Sequence, residues 1–203
     1  RPAPAPDLAG VEGVEAAGGL RGNVLLIGFG RVGQIVSQPL IARGHSISAI
    51  DNDTEMIQAA ASFGFKVWYG DGARLDILHA AGAGNADLVV VATDKAAVTT
   101  RIVEMLKHEF PLVPVMARAF DRGHALELMA KGVDYQMRES FESALAMGRE
   151  AVLRLGAGDE EADELLEAVR ARDRERLAVQ SVEGIYAGRD LLLGNQRGQA
   201  PGH

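Results

Sequence analysis

One stretch constrains the fold of this chain more than any other: residues 23–51, NVLLIGFGRVGQIVSQPLIARGHSISAID. It begins with a short apolar run, as expected of a strand buried on both faces. The sequence GFGRVG follows without a spacer, and a helical segment and a second apolar strand come after it. This order predicts a strand, a glycine turn, a helix and a parallel strand, which together form one βαβ unit.

The glycines of this turn have separate expected roles. Gly28 permits the tight turn, Gly30 lets the backbone approach a phosphate, and Gly33 lets the helix pack close to the sheet. The unpaired N–H groups and the dipole of the helix favour an anion at the same place. Asp51 ends the next strand, where a carboxylate can accept hydrogen bonds from ribose hydroxyls and disfavours a 2′-phosphate. The alternative is a structural glycine turn beside an empty site.

Composition excludes several classes of function. The chain has 203 residues, 47% of them hydrophobic, a net charge of −7 and a pI of about 5.3, so no nucleic-acid partner is expected. Cysteine is absent, which excludes disulfides, thiolate catalysis and cysteine-ligated metals. The histidines show no metal-binding spacing and are predicted to be surface residues: His45, His79, His108, His124 and His203.

Strands alternate with helices along most of the chain. Strands are predicted at 23–28, 46–51, 66–69, 87–93, 113–117 and 133–136, with helices at 31–43, 54–63, 75–81, 96–109 and 122–130. This alternation predicts an α/β protein with a Rossmann-like, doubly wound parallel six-stranded sheet of order 3-2-1-4-5-6. A helical extension follows at the C-terminus.

Ligands of such sheets bind outside the carboxyl ends of the strands. Asp71 is expected either to cap the third helix or to contact adenine, and Thr93 or Asp94 to cap the fourth. Arg31 is expected to face a phosphate, a second ligand or solvent. The candidate ligand-binding residues are Gly28, Phe29, Gly30, Arg31, Val32, Gly33, Asp51, Asn52, Asp71, Gly72, Ala73, Thr93, Asp94 and Arg118.

The flanks differ in composition from this core. Residues 1–22 alternate Pro and Ala before Gly-rich sequence, which predicts a linker that is disordered or loosely packed. Residues 23–156 form the predicted nucleotide-binding domain, 157–180 a charged helical extension and 181–203 a flexible tail. Helix 139–155 is expected either to cover the sheet or to form a dimer surface. Helix 159–176 is expected to be a solvated helix, with a swinging or partner-contacting helix as the alternative. Because the chain starts with Arg rather than Met, we expect a piece of a longer protein.

Several motifs resemble the RCK or KTN (TrkA-N-like) regulatory domain, most closely that of Kef-type glutathione-regulated potassium-efflux antiporters. They are GFGRVGQ, AIDND, VWYGDGARLDIL, ADLVVVATD and PVMARAFDRGHALELMAKGVD, within residues 21–156. The resemblance implies a homodimer that binds AMP or NAD(H) and performs no catalysis. It also implies a linker to a membrane K+/H+ antiporter domain of the same chain, and a place on the cytoplasmic face of the bacterial inner membrane.

The resemblance also makes glutathione a candidate regulatory ligand. Arg31 and Arg118 match two arginines expected around that tripeptide, and each can pair with a carboxylate. The Kef pattern has an asparagine in the helix after the core, where this chain has Arg172 and Asp173. An acid there is expected to repel a carboxylate of glutathione, so nucleotide binding is the firmer expectation.

Two other functions fit parts of the sequence. An NAD-dependent oxidoreductase would need a substrate domain and a proton donor near the nicotinamide, and residues after 156 show neither pattern. A regulatory subunit or domain of another potassium channel or uptake system would carry a compact C-terminal lobe, which the charged helix and glycine-rich tail do not resemble. The sequence therefore favours a ligand-sensing domain over an enzyme.

Overall fold

The computed structural model describes residue 8 and residues 11–184, and these form a parallel sheet with helices on both faces. The strands are β1 Val24–Ile27, β2 Ile47–Asp51, β3 Val67–Tyr69, β4 Leu88–Val91, β5 Val115–Ala119 and β6 Tyr135–Arg138. The helices are α1 Arg31–Ala42, α2 Thr54–Ser62, α3 Leu75–Ala80, α4 Ala96–Glu109, α5 Arg122–Ala130, α6 Glu139–Arg154 and α7 Asp159–Glu183, with a 3₁₀ turn at Ala83–Asn85.

The strand order is β3-β2-β1-β4-β5-β6, with every pair parallel, which confirms the predicted topology. All four residues of β1 are buried, as expected of a central strand with a helical layer on each face. Alternate residues of β1 enter two apolar clusters: Leu25 and Ile27 on one face, Val24 and Leu26 on the other. The order in which strands are added to the sheet reverses between β1 and β4, so the carboxyl ends of these two parallel strands border a crevice.

The last two strands begin two residues later than the sequence predicted. Val113 still belongs to the turn that ends α4, where its N–H donates to the carbonyl of Phe110, and Pro114 has no N–H to donate. Val133 likewise donates to Leu128 at the end of α5. Arg118 consequently lies inside β5, paired in register with Met137, and not beyond its tip.

Residues 11–22 are packed, where the composition predicted disorder or loose packing. The N–H of Ala17 donates to the carbonyl of Tyr69 at 2.7 Å, and the N–H of Tyr69 donates to Glu15 at 2.6 Å. Val14, Ala17 and Leu20 pack against the two apolar clusters. This segment pairs with β3, which would otherwise be an edge strand with unpaired backbone groups. Residues 1–7, 9 and 10 lie outside the described part.

The two C-terminal helices pack on each other. Helix α7 is longer than predicted, and it contacts α5 and α6. Its Ala162, Leu166 and Leu177 are buried, so it is not a simply solvated helix. Helix α6 buries only Leu145 and contacts the sheet at β6. The predicted flexible tail falls mainly on residues 185–203, which lie outside the described part.

One predicted surface histidine is buried. His124 lies in the first turn of α5 and is 6% exposed. Its Nδ1 accepts a hydrogen bond from the N–H of Phe120 at 3.1 Å, and its Nε2 lies 3.0 Å from the hydroxyl of Thr100 on α4. The prediction was wrong for His124 because a polar ring can be buried when both nitrogens find partners. His203 lies outside the described residues.

No helix in the described part of the chain is both long enough and apolar enough to span a membrane.

Candidate nucleotide-binding site

A cavity of about 600 Å³ lies where the carboxyl ends of the strands meet. It is bordered by the glycine turn after β1, the ends of β2 and β3, the loop after β4 and one side chain of β5. Most of the predicted site residues line it: Gly28, Gly30, Arg31, Asp51, Asn52, Asp71, Gly72, Thr93, Asp94 and Arg118. The topology thus brings together residues that are up to ninety positions apart in the chain.

The other predicted residues, Phe29, Val32, Gly33 and Ala73, do not line this cavity. The ring of Phe29 is buried and lies 5.3 Å from that of Phe65, and Val32 packs in the same apolar cluster. Phe29 and Val32 therefore contribute to the apolar packing around the turn. A direct ligand contact by any of the predicted residues remains a prediction.

The glycine turn depends on two close backbone approaches. Gly28 has a φ of +93°, and a Cβ there would lie 2.8 Å from the carbonyl carbon of Ala92. A Cβ on Gly33 would lie 2.2 Å from the carbonyl oxygen of Gly28. Gly30, in contrast, meets nothing within 4 Å and occupies the N-cap of α1 without a side-chain cap. The first N–H groups of α1 are therefore available to an anion in the cavity.

Asp51 joins the end of β2 to this turn. Its Oδ2 accepts a hydrogen bond from the N–H of Phe29 at 2.8 Å, and its Oδ1 accepts one from the N–H of Asp53 at 2.9 Å. Each carboxylate oxygen keeps a lone pair for another donor, such as a ribose hydroxyl. Asp53 caps α2 by accepting from the N–H groups of Glu55 and Met56, as the sequence predicted.

The capping roles predicted near the other strands were wrong. Asp71 accepts from the N–H of Ala73 at 2.9 Å in a turn, while Arg74 occupies the N-cap of α3. Burial, followed by the Asp71 carboxylate, raises the pKa of Tyr69 above its ordinary value.

At α4 the N-cap is Lys95, and it makes no side-chain capping bond. Thr93 instead pairs its hydroxyl with that of Thr99 at 2.6 Å. Both helices nevertheless begin where the sequence predicted, at Leu75 and Ala96.

Arg118 reaches the cavity from β5 and is held by two neighbours. Its Nη2 lies 2.7 Å from Oε2 of Glu139, and its guanidinium stacks over the ring of Phe120 at 4.6 Å. The side chain is 14% exposed, and its Nε is buried without a hydrogen-bond partner in the described structure. Arg118 is thus held in place beside the cavity with one buried N–H group unsatisfied.

Sequence reasoning missed Lys95 and the apolar floor of the cavity. Lys95 follows Thr93 and Asp94 directly at the end of a predicted strand, so its position was a usable signal. Ile27, Ile50, Val98 and Ile102 also line the cavity, and no local pattern distinguishes them from ordinary core residues. Among the residues described, no cluster of three or more histidines and carboxylates has the geometry of a metal site.

Asp173 is not a free acid. It forms ion pairs with Arg122 at 2.6 Å and with Arg138, and its side chain is 12% exposed. Burial lowers the pKa of Arg138, and the nearby carboxylate of Asp173 acts in the opposite direction. One carboxylate thus faces two guanidinium groups, and the carboxylate of Glu142 also lies near Arg138. The repulsion of a glutathione carboxylate by Asp173 stays a prediction, although the ion pairs reduce the charge that Asp173 presents.

The strand order, the uncapped helix at the switch point and the carboxylate at the end of β2 define a Rossmann-like nucleotide-binding domain. The family model for the TrkA-N domain matches residues 24–139, which is more than half of the chain. The chain belongs to the TrkA-N domain family.

Curated relatives are longer proteins. The chain is 45% identical over 166 residues to a glutathione-regulated potassium-efflux system protein of Haemophilus influenzae, covering 82% of this chain and 27% of that protein. It is 39% identical over 161 residues to the glutathione-regulated potassium-efflux system protein KefC of Escherichia coli O139:H28, covering 79% and 25%. The chain thus spans about a quarter of the length of the curated relatives it matches.

A solved structure of a related domain has a similar fold. The Kef CTD of Shewanella denitrificans in its AMP-bound form superposes with a TM-score of 0.70 at 36% sequence identity. The match covers 78% of this chain and 96% of that chain.

Proposed function

We propose that this chain is the ligand-sensing regulatory domain of a potassium-efflux (K+/H+) antiporter, and that it binds AMP or NAD(H). The observation that carries the proposal is the cavity at the switch point, with an uncapped helix N-terminus on one side and Asp51 on the other. The similarity to an AMP-bound Kef CTD supports the choice of an adenine nucleotide.

The expected pose follows from the charges. The phosphate lies against the first N–H groups of α1, which offer hydrogen bonds and the positive end of the helix dipole. The ribose hydroxyls donate to the lone pairs of Asp51 that Phe29 and Asp53 leave open. A 2′-phosphate would meet this carboxylate, so NAD(H) is favoured over NADP(H).

In this proposal the site binds its ligand and catalyses no reaction. The residues that line the cavity include no histidine, and the arginine that reaches it from β5 is held by Glu139. Nothing among them forms a pair of a nucleophile and a general base. Occupancy instead stabilises one arrangement of the domain over another.

The remaining parts of the proposal concern partners. The domain would act as a homodimer at the cytoplasmic face of the bacterial inner membrane, joined to an antiporter domain of the same chain. Ligand binding would change transport only by the difference in its affinity for the two states of the transporter. Glutathione is the proposed second regulatory ligand, because the ion pairs of Asp173 with Arg122 and Arg138 reduce its repulsion of a glutathione carboxylate.

Titration calorimetry on the purified chain tests the central point. We expect AMP and NADH to bind below millimolar concentration and Asp51→Ala to weaken both. Asp87→Ala is the matched control, because Asp87 is exposed and precedes β4 at the opposite end of the sheet. Absence of nucleotide binding to the unaltered chain would overturn the proposal, and so would steady oxidation of NADH with any added carbonyl substrate.

A further inference from the structure

Residues 11–17 form a strap along the edge of β3 that no other strand of the sheet covers. Ala16 makes a parallel bridge with Tyr69. In this bridge the N–H of Tyr69 donates to the carbonyl of Glu15 at 2.6 Å, and the N–H of Ala17 donates to the carbonyl of Tyr69 at 2.7 Å. These bonds satisfy backbone groups of β3 that would otherwise be unpaired.

The strap is held by few contacts, and each of its residues is exposed or half-buried. Outside the bridge, the side-chain amide of Gln58 donates to the carbonyl of Glu12 at 3.0 Å, and Val14 packs against the apolar cluster on one face of the sheet. Lys66 and Glu15 form an ion pair at 2.8 Å, but both side chains are exposed. Segments with few buried contacts open at a small part of the free energy of global unfolding. The strap is therefore expected to exchange between a docked and a detached state.

A glycine pair separates the strap from a fixed point of the fold. Gly18 and Gly19 have no atom within 4 Å of the position of a Cβ, and Gly19 has a φ of +62°. Beyond them, the N–H of Leu20 donates to the carbonyl of Ala80 at the end of α3, at 3.1 Å. Because glycine adopts a wide range of backbone angles, the strap can leave β3 by rotation at this pair while Leu20 stays in place.

One peptide group connects the strap with the cavity. Its carbonyl, from Tyr69, accepts the N–H of Ala17. Its N–H, from Gly70, donates to the carbonyl of Asp51 at 2.9 Å. Since a peptide group is planar, a rotation of this group changes both bonds together. Gly70 and Asp51 line the cavity, and the carboxylate of Asp51 also holds the glycine turn through the N–H of Phe29.

We propose that docking of the strap on β3 and occupancy of the cavity by an adenine nucleotide stabilise each other through the Tyr69–Gly70 peptide group. The proposal rests on the proposed nucleotide-binding function and adds the element that transmits it. A docked strap fixes the carbonyl of Tyr69, and a ligand in the cavity fixes Asp51 at the other end of the hydrogen-bonded path. The position of the strap then carries the state of the cavity to the segment that precedes it.

Thermodynamic linkage makes this coupling measurable from both ends. The factor by which the nucleotide reduces the detached fraction of the strap must equal the factor by which detachment weakens nucleotide binding. Couplings between two sites of a protein are typically about fivefold or more.

Hydrogen exchange followed by NMR measures the first factor on the unaltered chain, with and without saturating AMP. We expect AMP to slow exchange of the Ala17 amide by about fivefold or more, because this amide exchanges only when the strap is detached. The amide of Leu20 lies beyond the glycine pair and is the internal control. Its exchange should change by less than about twofold.

Calorimetry with AMP measures the second factor on Ala17→Pro, which has no N–H to donate to Tyr69. Exchange of the Tyr69 amide in this variant reports whether the strap has detached. We expect the affinity for AMP to fall by the same factor as the one found by exchange. Ala16→Pro is the matched control, because the N–H of Ala16 takes no part in the bridge and proline is tolerated at such edge positions. Its affinity for AMP should stay within about twofold.

The outcomes separate this proposal from the proposed function. If AMP does not bind the unaltered chain, the proposed function fails and the coupling fails with it. If AMP binds without slowing exchange at Ala17, only the coupling is overturned. It is likewise overturned if Ala17→Pro leaves the Tyr69 amide protected, or exposes that amide without weakening AMP. Thermal unfolding checks that the proline variants are folded, and if one is not, exchange in the unaltered chain decides alone.

Discussion

Asp51 and Phe29 are joined by a hydrogen bond of 2.8 Å between a carboxylate oxygen and a backbone N–H. This bond joins the end of β2 to the glycine turn after β1. The strands β1 and β2 also pair in parallel. One side chain therefore has two functions: it fixes the shape of the turn and offers its remaining lone pairs to a ligand.

Replacement of Asp51 should affect stability and binding together. Asp51→Asn places an amide NH2 where one of the two backbone N–H groups now finds an acceptor. We expect a loss of about 1–2 kcal/mol in the free energy of unfolding and a loss of nucleotide affinity of about tenfold or more. Urea unfolding and calorimetry measure the two effects. Asp87→Asn serves as control, and unchanged affinity in Asp51→Asn would contradict the ribose role.

Alanine should affect stability at one of two glycines of the turn and not at the other. A Cβ on Gly33 would collide with the carbonyl oxygen of Gly28 at 2.2 Å, so Gly33→Ala should destabilise the fold by about 1–3 kcal/mol. Gly30 has a φ of −78° and open space around it, so Gly30→Ala should leave stability within about 0.5 kcal/mol. Its methyl group would face the cavity and weaken nucleotide binding. Equal stability of the two variants would contradict the close packing of α1.

The ring of the buried His124 should be held in one tautomer. Because its Nδ1 accepts the N–H of Phe120, the proton of the neutral ring is on Nε2 and is donated to Thr100. Nitrogen-15 NMR of the ring should show this tautomer. His124→Ala should cost about 1–3 kcal/mol, since it leaves buried partners unsatisfied, whereas His108→Ala, at an exposed position, should cost less than about 0.5 kcal/mol. A ring protonated at Nδ1 would disprove this network.

The pairing of Asp173 with Arg122 and Arg138 should stabilise the attachment of α7. Asp173→Ala would leave two largely buried guanidinium groups without their carboxylate, and we expect a loss of about 3 kcal/mol or less in unfolding free energy. Glu150→Ala removes an exposed pair within α6 and should cost less than about 0.5 kcal/mol. A double-mutant cycle with Arg122→Ala measures the coupling, and a coupling near zero would contradict the observed geometry.

Asp134 should make stability depend on pH in the acid range. Burial raises the pKa of Asp134, but the hydrogen bond from Val115 and the ammonium of Lys107 outweigh it and lower that pKa. A lowered pKa in the folded state stabilises the protein above the unfolded value of about 4 and loses this effect as pH falls through the folded value. Unfolding of Asp134→Asn and the unaltered chain should therefore differ at pH 7 and converge below about pH 4. A difference that grows toward low pH would reverse the sign and disprove the assignment.

The sequence was most informative where a pattern is local. GFGRVG between two apolar runs predicted the β1–α1–β2 unit, and the handedness of parallel connections then gave the strand order. It was least informative at element ends, where the choice between a turn and a strand depends on partners such as the Phe110 carbonyl that holds Val113. It also missed the packing of residues 11–22 on β3, because their composition alone gives no sign of a neighbouring free strand edge.

What the sequence determined by itself was the glycine turn, the acid at the end of β2 and the alternation that yields a parallel sheet, since each depends on residues near one another in the chain. Only the tertiary structure decided that Asp173 lies between Arg122 and Arg138, that His124 is buried against Thr100, and that Lys95 faces the cavity without a partner. These relations join distant segments, and whether a charge is paired or free depends on what packing brings within hydrogen-bonding distance.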